Sequence, residues 1–281
     1  MSVEAIKEKL FGIRIDRETA KQYGWEAKRI GEEGSYVAPS GRSVDISAMV
    51  RKAVDGTTTY PPDSRQPDKA TGPMPPGVEI LNDTTLSGFR RLQEGGCNPV
   101  ALNFASATGA GGGWLGGSRA QEEYLARSST LFESLKDNPM YSYHRGRHDR
   151  LYSDWVIYSP EVPVFRGDDG VLLEEPYTAS MLTSPAVRNS GLTPEQSARV
   201  EEVMRQRIRK VLIVGAMHGH DSIVLGAWGC GAFHNDPAMI ARLFKEALTG
   251  DLQGAYRHVV FAITDWSEER KFIGPFEETF S

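Results

Sequence analysis

Two adjacent glutamates, Glu122 and Glu123, follow the most glycine-dense stretch of the chain, where six of the nine residues from Gly109 to Gly117 are glycine. Without Cβ atoms, successive backbone N–H groups can turn toward one ligand, so such loops cradle anions, phosphates above all. A carboxylate beside an anion cradle repels the ligand unless it has chemistry to do there, and the chemistry open to it is general acid–base catalysis. A second glycine loop runs Gly226-Ala227-Trp228-Gly229-Cys230-Gly231-Ala232-Phe233. Neither loop has a lysine, so backbone dipoles would have to neutralise a bound phosphate. Neither fits G-x-x-x-x-G-K-[ST], nor G-x-G-x-x-G with an acidic residue about 20 positions on, which speaks against a kinase and a dehydrogenase. Singly, these features have plainer uses: glycines make hinges, and acidic residues suit first turns, where Glu123 could pair with Arg127. Their adjacency favours chemistry.

Strands must lead into these loops and helices lead out. Pro99–Phe104 is an apolar run of the buried-strand kind before the first loop, and a helix is expected over Arg119–Leu135 after it. Ser118 with Gln121 reads as a capping box, placing Glu122 and Glu123 in the first turn, Glu123 at the edge of the apolar stripe and Glu122 nearly opposite. Ile223–Leu225 leads into the second loop, and Asn235-Asp236-Pro237 starts a helix ending near Leu248. Further strands are expected at Val78–Leu81, Trp155–Ser159, Thr178–Thr183, Val211–Ala216 and His258–Thr264, with helices from Thr84 to Gln93 and from Thr193 to Ile208. Strands alternating with helices mean an α/β sandwich whose parallel sheet brings both loops to one edge. Residues 137–175 resist assignment and read as a polar, aromatic excursion beside the site.

Ahead of this core, helices at Val3–Leu10, Ala20–Glu33 and Ser47–Val54 are poor in apolar residues. Pro61, Pro62, Pro67, Pro73, Pro75 and Pro76 then make an extended connector. Residues 1–77 are therefore expected to be an extension packed on a catalytic domain of residues 78–281.

The 281 residues carry 32 basic and 37 acidic side chains, a net charge of −5, which argues against binding DNA through a basic surface. Two cysteines, no apolar run of membrane length and no signal peptide at Met1–Gly12 suggest a reduced, cytoplasmic protein. His218-Gly219-His220-Asp221 reads as a solvated turn lacking a third metal ligand, and no metal is expected. Cys230 suits packing better than attack. Tyr141, Tyr143, His144, Arg145, Arg147, His148, Arg150 and Tyr152 form a basic aromatic cluster, either a solvated loop or a contact for a polyanion. Trp25 and Trp266 read as core or docking residues.

Gly111-Gly112-Gly113, seven residues, then Gln121-Glu122-Glu123 resembles the motif of poly(ADP-ribose) glycohydrolases. The wider run Leu102-Asn103-Phe104-Ala105-Ser106, Gly113-Trp114-Leu115-Gly116-Gly117 and Ala126-Arg127-Ser128-Ser129 resembles the bacterial type, as does the second loop with Asn235-Asp236-Pro237. Ala110 stands where that pattern has a proline, which loosens the start of the loop and leaves its donors intact. The resemblance covers roughly residues 78–265. It implies a macrodomain-like three-layer α/β/α sandwich with a mixed, mostly parallel sheet, no cofactor, and hydrolysis of ribose–ribose O-glycosidic bonds in poly(ADP-ribose) carried by ADP-ribosylated proteins. It makes Glu123 the acid/base, Glu122 the holder of the neighbouring ribose, and puts Asn103, Ser106 and Gln121 near that ribose beside Gly111, Gly112 and Gly113. Phe233 would orient the same ribose, Gly229, Cys230, Gly231 and Ala232 line the diphosphate, and Asp83 hold the adenine. Two other readings stay open at this point: an ADP-ribose reader without turnover, which needs no carboxylate beside the loop, and a mono-ADP-ribosyl hydrolase. Laid over the edge that carries Asp83, the extension would close off the adenosine end and favour mainly exo cleavage.

Overall fold

Apolar residues in the central strands alternate between two faces, and both faces are covered. The computed structural model describes residues 15–64, 74–147 and 149–281; the helix expected at Val3–Leu10, the prolines Pro67 and Pro73, and His148 lie outside them. In chain order the elements are α1 (Arg17–Glu33), β1 (Ser35–Val37), β2 (Ser43–Asp45), α2 (Ser47–Asp55), β3 (Thr58–Tyr60), β4 (Gly77–Leu81), α3 (Thr85–Glu94), β5 (Pro99–Phe104), α4 (Gln121–Ser128), α5 (Leu131–Leu135) and α6 (Pro139–Arg145). Then follow β6 (Val156–Arg166), β7 (Leu172–Ser184), α7 (Pro194–Ser197), α8 (Val200–Met217), β8 (Ser222–Leu225), α9 (Pro237–Thr249), β9 (His258–Ala262) and α10 (Gly274–Phe280).

Seven strands form one sheet in the order β3-β6-β7-β5-β8-β9-β4. From β7 to β4 all pairs are parallel, with Leu102 beside Leu182 and Val224 beside Val260. The β3–β6 and β6–β7 pairs are antiparallel. Val100, Leu102, Ile223, Leu225, Val259 and Phe261 pack against α8, α9 and α10 on one face. Ala101, Val224 and Val260 pack with α3, α4, α5 and α6 on the other. The result is the expected three-layer α/β/α sandwich with a mixed, mostly parallel sheet, and β5 and β8 release their glycine loops at the same edge.

Several elements differ from expectation. Val211–Ala216 is not a strand but the C-terminal part of α8; Val211, Leu212 and Val214 are fully buried, and a helix buried all round reads like a strand. The helix expected over Arg119–Leu135 breaks at Ser129, whose extended backbone bridges Val164 of β6. Most of residues 137–175 is no excursion: β6 and β7 form a long hairpin inside the sheet, with Pro160 and a left-handed Glu161 (φ 45°) in a bulge that disguises the alternation.

The extension also lies elsewhere than expected. β3 occupies the sheet edge opposite β4, far from Asp83. Ala27 and Ile30 of α1 join Tyr36, Val44, Ile46 and Val50 in a small third core that includes Trp114 of the glycine loop and Ala126 of α4. Gly24 lets α1 approach so closely that a Cβ there would stand 2.8 Å from the Trp114 carbonyl oxygen. Gly24→Ala should therefore destabilise the protein by about 1–3 kcal/mol, although alanine is the better helix former. Thermal unfolding reads this out; a higher Tm would show that α1 is not locked against the loop.

Candidate active site

The first turn of α4 is fastened to the end of β5 by one side chain. Gln121 accepts from the Phe104 amide (2.9 Å) and donates to the Leu102 carbonyl (2.8 Å) and to Thr85 Oγ1 (3.0 Å). It thus extends the strand's hydrogen bonding and does not close a capping box; Ala120, which offers no side-chain cap, is the N-cap. Tyr124, one turn on, donates its hydroxyl to Asp168 at the β6–β7 turn, and Asp168 also accepts from Thr84 Oγ1 (2.8 Å). Arg166 at the base of that turn donates to the Arg127 carbonyl at the end of α4 (3.1 Å) and pairs with Glu26 of α1 (2.6 Å).

Glu122 and Glu123 do not point apart: both are buried and both carboxylates lean on the glycine loop. Glu122 Oε2 accepts from the Ser106 amide at 2.6 Å, and Glu123 Oε1 from the Gly113 amide at 2.9 Å. Gly112 (φ 58°) sits under the pair; a Cβ on it would come within 2.4 Å of Glu123 Oε1 and 2.9 Å of Glu122 Oε2. The remaining oxygens, Glu122 Oε1 and Glu123 Oε2, have no hydrogen-bond partner, nor has Asn103 Oδ1. Burial raises the Glu122 carboxyl well above the usual range, with Glu123 adding repulsion; the hydrogen bond from the Ser106 amide acts against it. Arg127 does not pair with Glu123. It is buried and donates to the Ser118 carbonyl (2.6 Å), and burial lowers its guanidinium to about 10 while the Glu123 charge opposes that fall.

The second loop faces the first. Gly229 (φ 76°) is wedged between Asn235 and Ala186, with no room for a Cβ, and Asn235 fixes the turn by donating to the carbonyls of Val187 (2.8 Å) and Gly229 (3.2 Å). Cys230 is buried, which raises its thiol far out of the reactive range, so it packs as expected. Asp236 caps α9 with Pro237 behind it.

Between the loops lies a cleft of about 350 Å³, lined at one end by Ser106, Glu122, Glu123, Gly229, Gly231, Ala232 and Phe233 and at the other by Ile263, Thr264, Trp266 and Phe272. Asn103 sits beneath it, donating to Thr183 Oγ1 (3.2 Å). Asp83 borders an adjoining cavity; its carboxylate accepts from the Thr84 amide and from Ser87 Oγ, both at 2.9 Å. Trp266 belongs to the cleft, whereas Trp25 is 52% exposed on α1 and is no core residue. Thr84, Tyr124 and Phe272 also line the cleft without any sequence signal to mark them. His218 and His220 are not a solvated turn: His218 stacks on Tyr158 at 3.5 Å and meets the Tyr60 hydroxyl (2.8 Å), and buried His220 meets the Tyr158 hydroxyl (2.9 Å). Among the described residues no group of histidines, cysteines and carboxylates is placed to hold a metal ion.

A family model described as microbial-type PARG, catalytic domain, matches residues 25–167. The crystal structure of poly(ADP-ribose) glycohydrolase from Thermomonospora curvata is 43% identical with a TM-score of 0.86, the match covering 94% of this chain and all of that one. The same bacterium's enzyme bound to the inhibitor ADP-HPD is 42% identical (TM-score 0.84; 93% and 99% covered). That from Deinococcus radiodurans in complex with ADP-ribose is 39% identical (TM-score 0.78; 85% and 99% covered). No curated protein matches the chain.

The raised Glu122 carboxyl has a consequence for stability. A carboxyl that titrates higher when folded than when unfolded contributes fully at low pH, and that contribution is lost as pH rises through the folded value. Glu122→Gln keeps an acceptor for the Ser106 amide without the charge, so its Tm should exceed that of the native protein near about pH 8, with the difference closing toward about pH 4. Melting curves across that range check it; a variant equally destabilised at both ends would contradict the buried, proton-holding Glu122.

Proposed function

The chain belongs to the microbial-type poly(ADP-ribose) glycohydrolases, and from that premise we propose how its residues divide the reaction. It is a glycosidase with a macrodomain-like fold that hydrolyses the ribose–ribose bonds of poly(ADP-ribose). One observation carries the assignment of residues: two buried neighbouring carboxylates at the wall of the cleft each spend one oxygen on a loop amide and keep the other buried without a partner. An ADP-ribose unit seats its diphosphate against Gly229–Ala232 and its distal ribose between Phe233 and the glutamates. Glu122 and Asn103 take that ribose's hydroxyls. Glu123 Oε2 gives a proton to the ribose oxygen of the departing unit, the C–O bond breaks, and Glu123 then takes a proton from the water that adds to the oxocarbenium carbon.

Adjacent carboxylates cannot flank a bond as the usual glycosidase pair does. What they offer instead is one carboxyl whose protonated form is favoured: burial raises Glu122 well above the usual range, and the Glu123 charge beside it adds to that rise.

At the far end, Trp266 and Phe272 offer flat faces to the adenine, with Asp83 behind them at the start of α3. Burial raises the Asp265 carboxyl, but hydrogen bonds from Ser267, Phe272 and Ile273 outweigh it and hold it below its usual range. The segment 265–273 is thereby fixed as an end wall, and this wall, not the extension, favours mainly exo cleavage. The elements α1, β1, β2 and α2 act instead as a brace behind the glycine loop. Substrate arrives on ADP-ribosylated proteins in the cytoplasm, without direct DNA contact; no helix among the described residues is long and apolar enough to cross a membrane, and Cys97 and Cys230 are free thiols.

Glu123→Gln should lower ADP-ribose release by ~10²–10⁴ while ADP-ribose affinity stays within about threefold; turnover above about a tenth of native would overturn the role. In early samples of a digest of long polymer, chromatography should find free ADP-ribose beside long chains. Oligomeric fragments at that stage would mean the end wall is open.

A further inference from the structure

The strand order lays the cleft out in sequence along the C-terminal edge of the sheet. The apolar end follows β9, the glycine loop around Gly229 follows β8, and the glutamates follow β5. The next positions along the edge belong to the end of β7 and the start of β6, which meet there in antiparallel register. What leads into β6 is the basic aromatic cluster singled out in the sequence. Arg145 donates to the Thr108 carbonyl (2.8 Å), just past the Ser106 wall of the cleft. Tyr152, held left-handed at φ 55°, sets its ring 6.2 Å from Phe233, and the Asn189 amide binds the Phe233 carbonyl (2.8 Å). Arg147 lies over the Tyr143 ring at 4.0 Å, and Arg150 donates to the Ser190 carbonyl (2.6 Å).

Several exposed arginines elsewhere sit on carboxylates, Arg29 on Glu33, Arg42 on Glu175, Arg91 on Glu79 and Arg242 on Glu201, while others, such as Arg51 and Arg199, have none within ion-pair distance among the described residues. Arg145, Arg147 and Arg150 are exposed, and among the described residues none has a carboxylate within ion-pair distance. Asp149, in their midst, is occupied by the Leu151 amide and Gln196. A chain with net charge −5 thus keeps three arginines without carboxylate partners, and two half-buried tyrosines, beside the glutamate end of the cleft.

We propose that Arg145, Arg147 and Arg150, with Tyr143 and Tyr152, form a binding track for the departing side of the polymer, taking the diphosphate and adenine of the units beyond the scissile bond. This rests on the glycohydrolase reading and extends it past the ADP-ribose cleft. Arginine guanidinium groups match phosphate oxygens, and rings accept bases by stacking. The track adds affinity for long polymer that ADP-ribose itself cannot feel.

The test compares two substrates: long poly(ADP-ribose), and an ADP-ribose whose distal ribose carries a neutral aryl group at the anomeric oxygen. Arg145→Ala/Arg147→Ala should lower kcat/KM on polymer by about tenfold at low salt, leave the aryl substrate and ADP-ribose affinity unchanged, and flatten the salt dependence by roughly 0.7 logarithmic units per arginine removed. Arg145→Lys, which keeps the charge, should stay within about twofold of native on polymer. Equal loss on both substrates, or a lysine variant as weak as alanine, would make the rim a support for the Thr108 loop and overturn the track. Native-like polymer turnover in the double variant would overturn it too. Failure of the native enzyme on polymer and aryl substrate alike would instead refute the glycohydrolase reading.

Discussion

Two neighbouring carboxylates buried in the first turn of a helix are costly, because each loses its hydration and each repels the other. The protein answers with backbone amides. Ser106 and Gly113 donate to one oxygen of each glutamate, from opposite sides of a loop that has no Cβ where the carboxylates come closest. One oxygen of each carboxylate is thus met by a backbone amide, and the other is buried without a partner. Stiffness follows as a requirement: a loop that moved by an ångström would abandon the carboxylates to an apolar interior.

The stiffness comes from behind the loop. Trp114 is 2% exposed and packs in a core made largely by the N-terminal elements, and Arg17 and Arg119 tie the loop and the segment before α1 to each other through main-chain carbonyls. Gly117, left-handed at φ 81°, passes so near the Arg17 carbonyl that no side chain fits. From the other side, Gln121 joins α4 to β5. The extension is therefore part of the machinery that holds charge in place, which its sparse apolar residues do not advertise.

Much of this was legible because it rests on local chemistry. The glycine loops, the helix starts at Thr84 and at Asp236-Pro237, and the apolar run Pro99–Phe104 all act within a few residues of themselves. What was hidden depends on distant partners. Gln121 follows a serine at capping distance, and only the nearness of β5 gives it a better use. Val211–Ala216 is apolar on every side because α8 is covered on every side, which erases the period that tells helix from strand. The long β6–β7 hairpin carries prolines and a bulge, and the place of β3 at the far edge cannot be read from its three residues. Trp266 and Phe272 enter the cleft through the turn that Asp265 organises, a contact no spacing announces.

The turn Gly167-Asp168-Asp169-Gly170 has the composition of a disposable surface loop, the kind usually chosen for tags, insertions or new termini. Here it is a keystone. Asp168 holds Tyr124 and Thr84, and Arg166 at its base grips the end of α4 and, through Glu26, α1. Three stretches remote in sequence, the start of α3, α4 and α1, meet in those few residues. Lengthening the turn would loosen the helix that carries Glu122 and Glu123 without touching the cleft itself. Among descendants of this sequence, length variation should accumulate in other connections and spare this one, so that an apparently neutral hairpin tip is as constrained as the first glycine loop.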